Sequence, residues 1–334
     1  MRVLIVKLSS LGDVVHTLPV AVDILRAHPH AQIDWVVERG FAPLVSRCQA
    51  VSRVIPIDLR RWRRAPFAAQ TRVQWQTFRE ALAHTAYDAV LDLQGLTKSA
   101  WVSWLAHLSP NGKRYAMANR TDGSGYERAT RWVADAAIAV QPHIHALTRG
   151  RVVAAQALGY ACDPRPDFGL GGPVSEPHHP SRDVVWVHGT SRADKEWPFA
   201  HWVNLGQRLQ QAGYTVNLTH GNAHEQQRAE LLAQALPGSQ VWPSLSLDQV
   251  AQRMAHSAGV IGVDSGVSHI AVALNLPHVQ IYNFDTAWRT GPLHTPHQLA
   301  VYAQPAPSVD QVWQAWQTCC APNARESNLQ ERMT

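Results

Sequence analysis

The chain runs through one alternation twice: a short apolar run, a stretch with helical spacing, then another apolar run. From the amino end the runs are MRVLIVK, IDWVVE, VSRVIPI and AVLDLQG, separated by helical patterns over Val14 to Ala27, just after Gly40, and over Val73 to His84. Short runs rich in Val and Ile are buried on both faces, and a parallel sheet covered by helices buries them that way. The spacing therefore predicts α/β layers of the doubly wound kind. A polar stretch with helical character is expected to follow as far as Gly159. Next comes CDPRPDFGLGGPVSEPHHPSRD, with five Pro and three Gly in 22 residues. Proline lacks an N–H donor and fixes its φ, so this segment continues neither a helix nor a central strand, and a domain boundary is expected there.

Beyond it the alternation restarts with VVWVHG, YTVNLTH, QVW, VIGVD and HVQIYN. The helical patterns between these strands cover Pro198 to Gln211, the stretch after Asn222, Leu247 to Ala258, and a helix opening at Gly266. An amphipathic pattern over 309–319 reads as a closing helix. The expected organisation is a Rossmann-like domain over 1–160, a linker over 161–183, a second Rossmann-like domain over 184–320 and a frayed tail over 321–334. Two doubly wound halves are expected to bind ligand where strand C-termini face each other across a cleft.

Four cysteines, Cys48, Cys162, Cys319 and Cys320, show no CxxC spacing, which speaks against a zinc site or a disulfide framework. The opening run carries no small-residue cleavage site, and no apolar run is long enough to span a bilayer, so a soluble cytoplasmic protein is expected. The formal charge is +5, and only Lys7, Lys98, Lys113 and Lys195 are lysines; every other basic residue is Arg. Arginine suits bidentate binding of phosphate and carboxylate.

The loop after the first strand is SSLGDVVHTLP. Ser9, Ser10 and Gly12 permit a turn and deliver Asp13 to the start of the next helix, where it can serve either as a cap or as a catalytic carboxylate. The loop has no GxGxxG, which speaks against NAD or FAD. In the second half VIGVD runs straight into SGVSH, placing Asp264, Ser265, Gly266 and His269 where a strand ends and a helix begins. Free N–H groups and the helix dipole favour a diphosphate there, although a capping turn with a satisfied His would carry the same residues. HGTSRADKEWP sets Thr190, Ser191 and Lys195 at another strand end, a hydroxyl and ammonium set suited to phosphate. THGNAHE supplies Glu225, placed to accept from a ribose. His220 and His224 have metal-compatible spacing without a third ligand, and no Asp-x-Asp pair occurs, so a leaving diphosphate would be held by Lys, Arg and helix N-termini without a metal.

Between Arg47 and Arg79 lie eight Arg and one acid, Asp58. Trp62 among Arg60, Arg61, Arg63 and Arg64 has the look of a polyanion-binding surface, and a solvated charged face has the same composition. No nucleic-acid module accompanies the run, so nucleic acid is not expected as a partner.

Taken together, SSLGDVVHTLP, DWVVERGF, RVIPIDLRRWRR, YDAVLDLQGLTKSA, HGTSRADKEWP, HGNAHE and VDSGVSHIAVAL stand in the order of the landmarks of a known family, from Met1 to about Tyr282. The chain resembles the type I lipopolysaccharide heptosyltransferases of glycosyltransferase family 9. The resemblance implies the glycosyltransferase B fold of two Rossmann-like domains, an ADP-L-glycero-β-D-manno-heptose donor, a Kdo-bearing lipid A acceptor, and no cofactor or metal. It implies metal-independent single displacement with inversion, at the inner face of the cytoplasmic membrane of a Gram-negative bacterium. Asp13 would be the general base. Thr190, Ser191, Lys195, Asp264, Ser265, Gly266 and His269 would hold diphosphate and heptose, Glu225 the ribose, with Leu245 near adenine. Ser10, Gly12, Arg60, Arg61, Arg63, Arg64, Gln94 and Arg120 would meet the acceptor.

Two features depart from the family pattern. Tyr126 and Glu127 stand where relatives carry an Arg-Glu pair, with Arg120 and Arg128 nearby, and IYNFDTAWRTGPL lacks a Gly-Pro-Thr turn. These bear on the acceptor, so a core heptose or a protein hydroxyl is an alternative, as is a nucleotide-binding protein without catalysis.

Overall fold

A computed structural model describes residues 1–171, 181–293 and 295–321. The chain divides into two compact units, Met1–Gly171 and Gly172–Thr334. That division falls within the Pro- and Gly-rich segment; residues 172–180 of the expected linker and 322–334 of the expected tail lie outside the described residues.

The first unit holds six parallel strands in the order β3-β2-β1-β4-β5-β6. These are β1 (Arg2–Val6), β2 (Gln32–Glu38), β3 (Arg53–Ile57), β4 (Tyr87–Asp92), β5 (Leu108–Met117) and β6 (Ala136–Ile138). The helices are α1 (Leu11–Ala27), α2 (Ala42–Val45), α3 (Leu59–Arg64), α4 (Ala69–Ala83), α5 (Thr97–Leu105), α6 (Ala129–Val133) and α7 (Ala146–Leu158). Central β1 is buried from Val3 to Val6, as an all-apolar strand between two helix layers must be.

The polar stretch before Gly159, expected to be helical, contains β5 and β6. In β5 only Ala116 and Met117 are buried, so it has no apolar run to betray it, and its pairing with β4 makes it a strand. The first helix also opens at Leu11 and not at Val14. Ser10 is its N-cap and Asp13 its third residue, with Asp13 Oδ2 accepting from Ser10 N at 3.2 Å and Ser10 Oγ at 2.9 Å. Gly12 is thus a helical residue, not a turn residue.

The second unit repeats the plan with strand order β12-β11-β10-β7-β8-β9. Its strands are β7 (Asp183–Val187), β8 (Thr215–Leu218), β9 (Gln240–Val241), β10 (Gly259–Val263), β11 (His278–Tyr282) and β12 (Gln298–Tyr302). Its helices are α8 (Phe199–Gln211), α9 (Ala223–Ala235), α10 (Leu247–Ala255), α11 (Gly266–Ala273), α12 (Ala287–Thr290) and α13 (Val309–Cys319). Trp186, Trp197, Trp202 and Trp316 fill its core. The Trp186 and Trp202 rings are 4.7 Å apart, and Trp197 meets Trp202 edge-on at 5.0 Å. Helix α13 packs onto this core through Val312, Ala315, Trp316 and Cys319.

Candidate functional site

In each sheet the strand order reverses beside the first strand of the unit: between β1 and β4, and between β7 and β10. At such a point the connections leave in opposite directions and open a crevice at the strand C-termini. Ser10, Gly12, Asp13 and Gln94 follow the two strands of the first reversal, and Thr190, Ser191, Lys195, Asp264, Ser265, Gly266 and His269 follow those of the second, whereas Arg60 to Arg64, Arg120, Glu225 and Leu245 lie after other strands.

In the first unit the loop after β1 is held from both sides. Gln94 Oε1 accepts from Leu8 N at 3.1 Å and Ser9 N at 3.0 Å, and Lys98 Nζ donates to Ser9 Oγ at 2.7 Å. Gln94 is in turn fixed by Asp92, whose buried carboxylate accepts from Gln94 N, Gly95 N and Ser99 Oγ at 3.0–3.1 Å. Burial pushes the Asp92 carboxyl up to about 6, against those hydrogen bonds and Lys7.

Asp13 lies between two cations that sequence reasoning did not assign. Lys7 Nζ is 3.4 Å from its Oδ1 and Arg149 Nη2 is 3.5 Å from the same oxygen. Both cations are buried; Lys7 also donates to Leu93 O at 3.0 Å, and Arg149 to Thr121 Oγ1 at 3.0 Å. Partial burial raises the Asp13 carboxyl, but Lys7, Arg149 and the Ser10 hydrogen bonds outweigh it and hold it well below the usual carboxylate range. Burial lowers the Lys7 ammonium, with Arg149 adding to that effect and Asp13 opposing it. The scarcity of lysine gave a weak pointer to Lys7, at the end of the first strand. Arg149 had no local signal, because it comes from α7, packed against α1.

The arginine-rich run forms α3, where the structure corrects one expectation. Trp62 is buried and not part of a surface: its ring meets Trp75 at 5.8 Å and Phe78 at 5.9 Å, and its Nε1 donates to Gln74 Oε1 at 2.9 Å. An indole carries the largest apolar area of any side chain, so the core claims it. With Trp62 turned inward the four arginines separate. Arg61 Nη2 donates to Gln70 Oε1 at 2.5 Å. Arg60 and Arg63, one turn apart, share the field of Lys98: burial lowers that ammonium, Glu38 and Asp13 raise it, and Arg60 and Arg63 lower it further. Lys98 thus stands between Asp13 and these arginines: it donates to Ser9 Oγ beside Asp13 on one side and feels Arg60 and Arg63 on the other.

Arg120 is exposed beside Thr121, the residue that Arg149 engages. Tyr126 donates its hydroxyl to Ala118 O at 2.9 Å. Glu127 accepts from Thr97 N at 2.7 Å and from Thr97 Oγ1, so it caps α5.

In the second unit Lys195 Nζ, half-buried after β7, is 2.5 Å from Asp264 Oδ2 at the end of β10. Thr190 Oγ1 donates to Asp264 O at 3.3 Å, and His269 Nε2 lies 3.9 Å from Asp264 Oδ1. Ser265 is the N-cap of α11, which opens at Gly266; Ser191 is exposed on the loop after β7. A Cβ at Gly262 would meet Ser268 Oγ at 2.4 Å and Val187 Cβ at 2.9 Å, so only glycine lets α11 approach β10 and β7 this closely. The Lys195 loop is stapled by Asn283 Nδ2, which donates to Asp194 O and Glu196 O at 3.1 and 2.9 Å, and by Arg228, which pairs with Glu196.

Glu225 lies early in α9. Its Oε2 accepts from Gly221 N at 2.7 Å, and its side chain covers Gly189, where a Cβ would stand 2.5 Å from Glu225 Cδ. Leu245, before α10, lines a cavity of 590 Å³ together with Trp242, Asn217, Gln249 and Arg253. His220 Nε2 bonds Trp242 O at 2.8 Å, and no cluster of three or more His, Cys, Asp or Glu that could hold a metal occurs among the described residues.

Residues 75–314 match the model of glycosyltransferase family 9 (heptosyltransferase). The chain is 40% identical over 286 residues to lipopolysaccharide heptosyltransferase 1 of Escherichia coli K12, covering 84% of this chain and 88% of that protein. It is similar to the E. coli heptosyltransferase WaaC solved with ADP, with a TM-score of 0.82 and 35% identity over 99% of both chains. The E. coli WaaC structure with ADP-2-deoxy-2-fluoro heptose gives a TM-score of 0.78 at 36% identity, over 99% of this chain and 100% of that one.

Proposed function

The chain belongs to glycosyltransferase family 9, the heptosyltransferases, and from that premise we propose that it moves L-glycero-D-manno-heptose from ADP-heptose to a Kdo residue of Kdo-bearing lipid A. It is a glycosyltransferase with two doubly wound α/β units, acting in inner-core lipopolysaccharide synthesis. The observation that carries the finer reading is the placement of Asp13 at the first strand-order reversal and of Lys195 with Asp264 at the second.

Asp13 is the general base in this reading. It takes the proton of the acceptor hydroxyl while that oxygen bonds to the anomeric carbon and the bond from that carbon to the ADP oxygen breaks, with inversion. Lys7 and Arg149 keep the carboxylate ionised, at the cost of basicity. Negative charge brought by the acceptor to Arg60, Arg63 and Lys98 offsets the cationic field and restores basicity when substrate is present. Ser10, Gly12, Gln94, Arg61, Arg64 and Arg120 complete the acceptor side.

The leaving ADP is stabilised by Lys195, the hydroxyls of Thr190 and Ser191, and the free N–H groups at Ser265 and Gly266 opening α11. Asp264 and His269 hold the diphosphate and heptose with them, Glu225 takes the ribose, and Leu245 lies by the adenine. No metal is needed in this scheme, because a cation and a helix N-terminus supply the charge. The reading places the enzyme at the inner face of the cytoplasmic membrane. No helix among the described residues is long and apolar enough to cross it, so the contact would be peripheral.

The test is incubation with ADP-heptose and Kdo-bearing lipid A, followed by mass spectrometry of the acceptor. Gain of one heptosyl residue on Kdo is the expected result. Transfer only to an acceptor that already carries heptose would overturn the acceptor assignment.

A further inference from the structure

The first unit exposes aromatic rings that its core does not use. Trp132 on α6 is 85% exposed, Phe67 before α4 is 82% and Trp104 on α5 is 63%. Trp104 and Trp132 stand on helices that pack together, α5 against α6, with α4 on the other side of α5. The Trp75 ring on α4 stacks on Trp101 of α5 at 5.0 Å, and Trp101 and Trp104 lie on successive turns of α5. Arg114 then bridges to α6: it donates to Ser103 O and Ala106 O at 2.9 and 3.0 Å and lies 4.0 Å from Asp135, just after Trp132.

The helices around these rings are cationic. Helices α4, α5 and α6 carry Arg72, Arg79, Arg131 and Lys98 against a single acid, Glu80, and the Arg79 guanidinium stands 5.9 Å from the Trp75 ring centroid. Indole rings beside arginines suit the boundary of a bilayer, where the ring enters the headgroup layer and the cation meets lipid phosphate. A second copy would set arginines against arginines. A nucleic acid would need rings laid open along a backbone-tracking groove, not rings projecting singly.

We propose that the face formed by α4, α5 and α6, with Trp104 and Trp132 as its apolar anchors, docks onto an anionic lipid bilayer. It deepens the acceptor reading above, since a lipid-borne acceptor has to be met at a membrane. The geometry joins the two: Lys98, in the first turn of α5, holds Ser9 beside Asp13, and Trp101 and Trp104 follow on its next turns. Docking by this face would bring a bilayer to the acceptor end of the unit.

The test is co-sedimentation of the full chain with phosphatidylcholine vesicles, with and without phosphatidylglycerol. Binding should require the anionic lipid and weaken as salt is raised. The Trp104→Ser/Trp132→Ser double variant should partition roughly ten-fold or more less, because interfacial binding scales with buried apolar area. Its turnover on a water-soluble, deacylated Kdo acceptor should match the wild type, which separates docking from chemistry: loss of transfer by both proteins would count against the function and leave the docking result standing. Failure of the wild type to bind anionic vesicles, or equal binding by the double variant, would overturn the proposal. A concentration-dependent dimer abolished by the double variant, without vesicle binding, would overturn it in favour of a second copy.

Discussion

Asp13 and Arg149 are 136 positions apart in sequence, yet the Asp13 Oδ1 and Arg149 Nη2 atoms are 3.5 Å apart. With Lys7 at 3.4 Å on the same oxygen, the carboxylate closes a buried cationic pair as well as the first turn of α1. A residue that the sequence offers as either a cap or a base is therefore also a counter-ion.

Asp13→Asn separates these roles. Asn can cap a helix but cannot take a proton, so turnover should fall roughly 100-fold or more. It also leaves Lys7 and Arg149 facing each other, which should cost about 1–2 kcal/mol, a value reduced because a third of the Asp13 side chain reaches solvent. Since the folded-state pKa of Asp13 is depressed, its stabilisation is present above about pH 4 and is lost as pH falls below that. Urea unfolding at neutral pH and single-turnover kinetics check both parts; normal turnover would show that the base lies elsewhere.

Asp92 carries the opposite sign. Its carboxyl is raised to about 6, so its contribution to stability is fully present below about pH 4 and is lost as pH rises from there through 6. The swing is on the order of 2–3 kcal/mol for a fully buried group. Asp92→Asn should flatten that segment of the stability curve, so the gap between wild type and variant should differ at pH 4.5 and pH 7. The variant should also lose any acid limb of the pH–rate profile near 6, because Asp13 stays ionised there. A gap independent of pH would argue against this assignment.

Lys195→Ala removes the cation that bridges to Asp264. A charge-assisted contact to the diphosphate is worth about 1.5–3 kcal/mol, so ADP affinity should fall roughly 10- to 100-fold. Calorimetric titration with ADP reads this directly, and unchanged affinity would remove Lys195 from the donor site.

Gly189→Ala places a methyl where Glu225 Cδ now lies, at 2.5 Å. Glu225 is partly exposed and can swing away, so the fold should lose less than about 1 kcal/mol. The ribose contact should be lost with it, and the variant should match Glu225→Ala in weakened ADP binding. Wild-type affinity in Gly189→Ala would mean that Glu225 does not touch the nucleotide.

Chelation tests the metal-free scheme. With Lys195 and the start of α11 supplying positive charge, EDTA should leave turnover intact at saturating substrates. Strict dependence on added magnesium or manganese would refute it.

The fold was readable where burial is two-sided. Runs such as VLIV and GVIGV have no polar alternation, and that pattern means a central parallel strand whatever surrounds it. β5, β6 and β12 were not readable: β6 and β12 are edge strands, which gain their identity from one neighbour's hydrogen bonds, and β5, paired on both sides, buries only Ala116 and Met117 and so has no apolar run. Likewise, VDSG followed by VSH announces a strand end feeding a helix start, since the glycine and the polar turn residues are local requirements.

By itself the sequence determined two doubly wound halves, the strand-end loops that carry Asp13, Lys195 and Asp264, and a chain poor in lysine. Tertiary structure alone decided which partners those loops meet. It brought Arg149 from α7 to Asp13, turned Trp62 into the core so that Arg60 and Arg63 part company with Arg61, and closed Lys195 onto Asp264. Local pattern is set by each residue's own backbone and solvation preferences over a few positions. A contact across 136 positions depends on how helices pack on a sheet, and nothing in the residues flanking Arg149 encodes the carboxylate it will find.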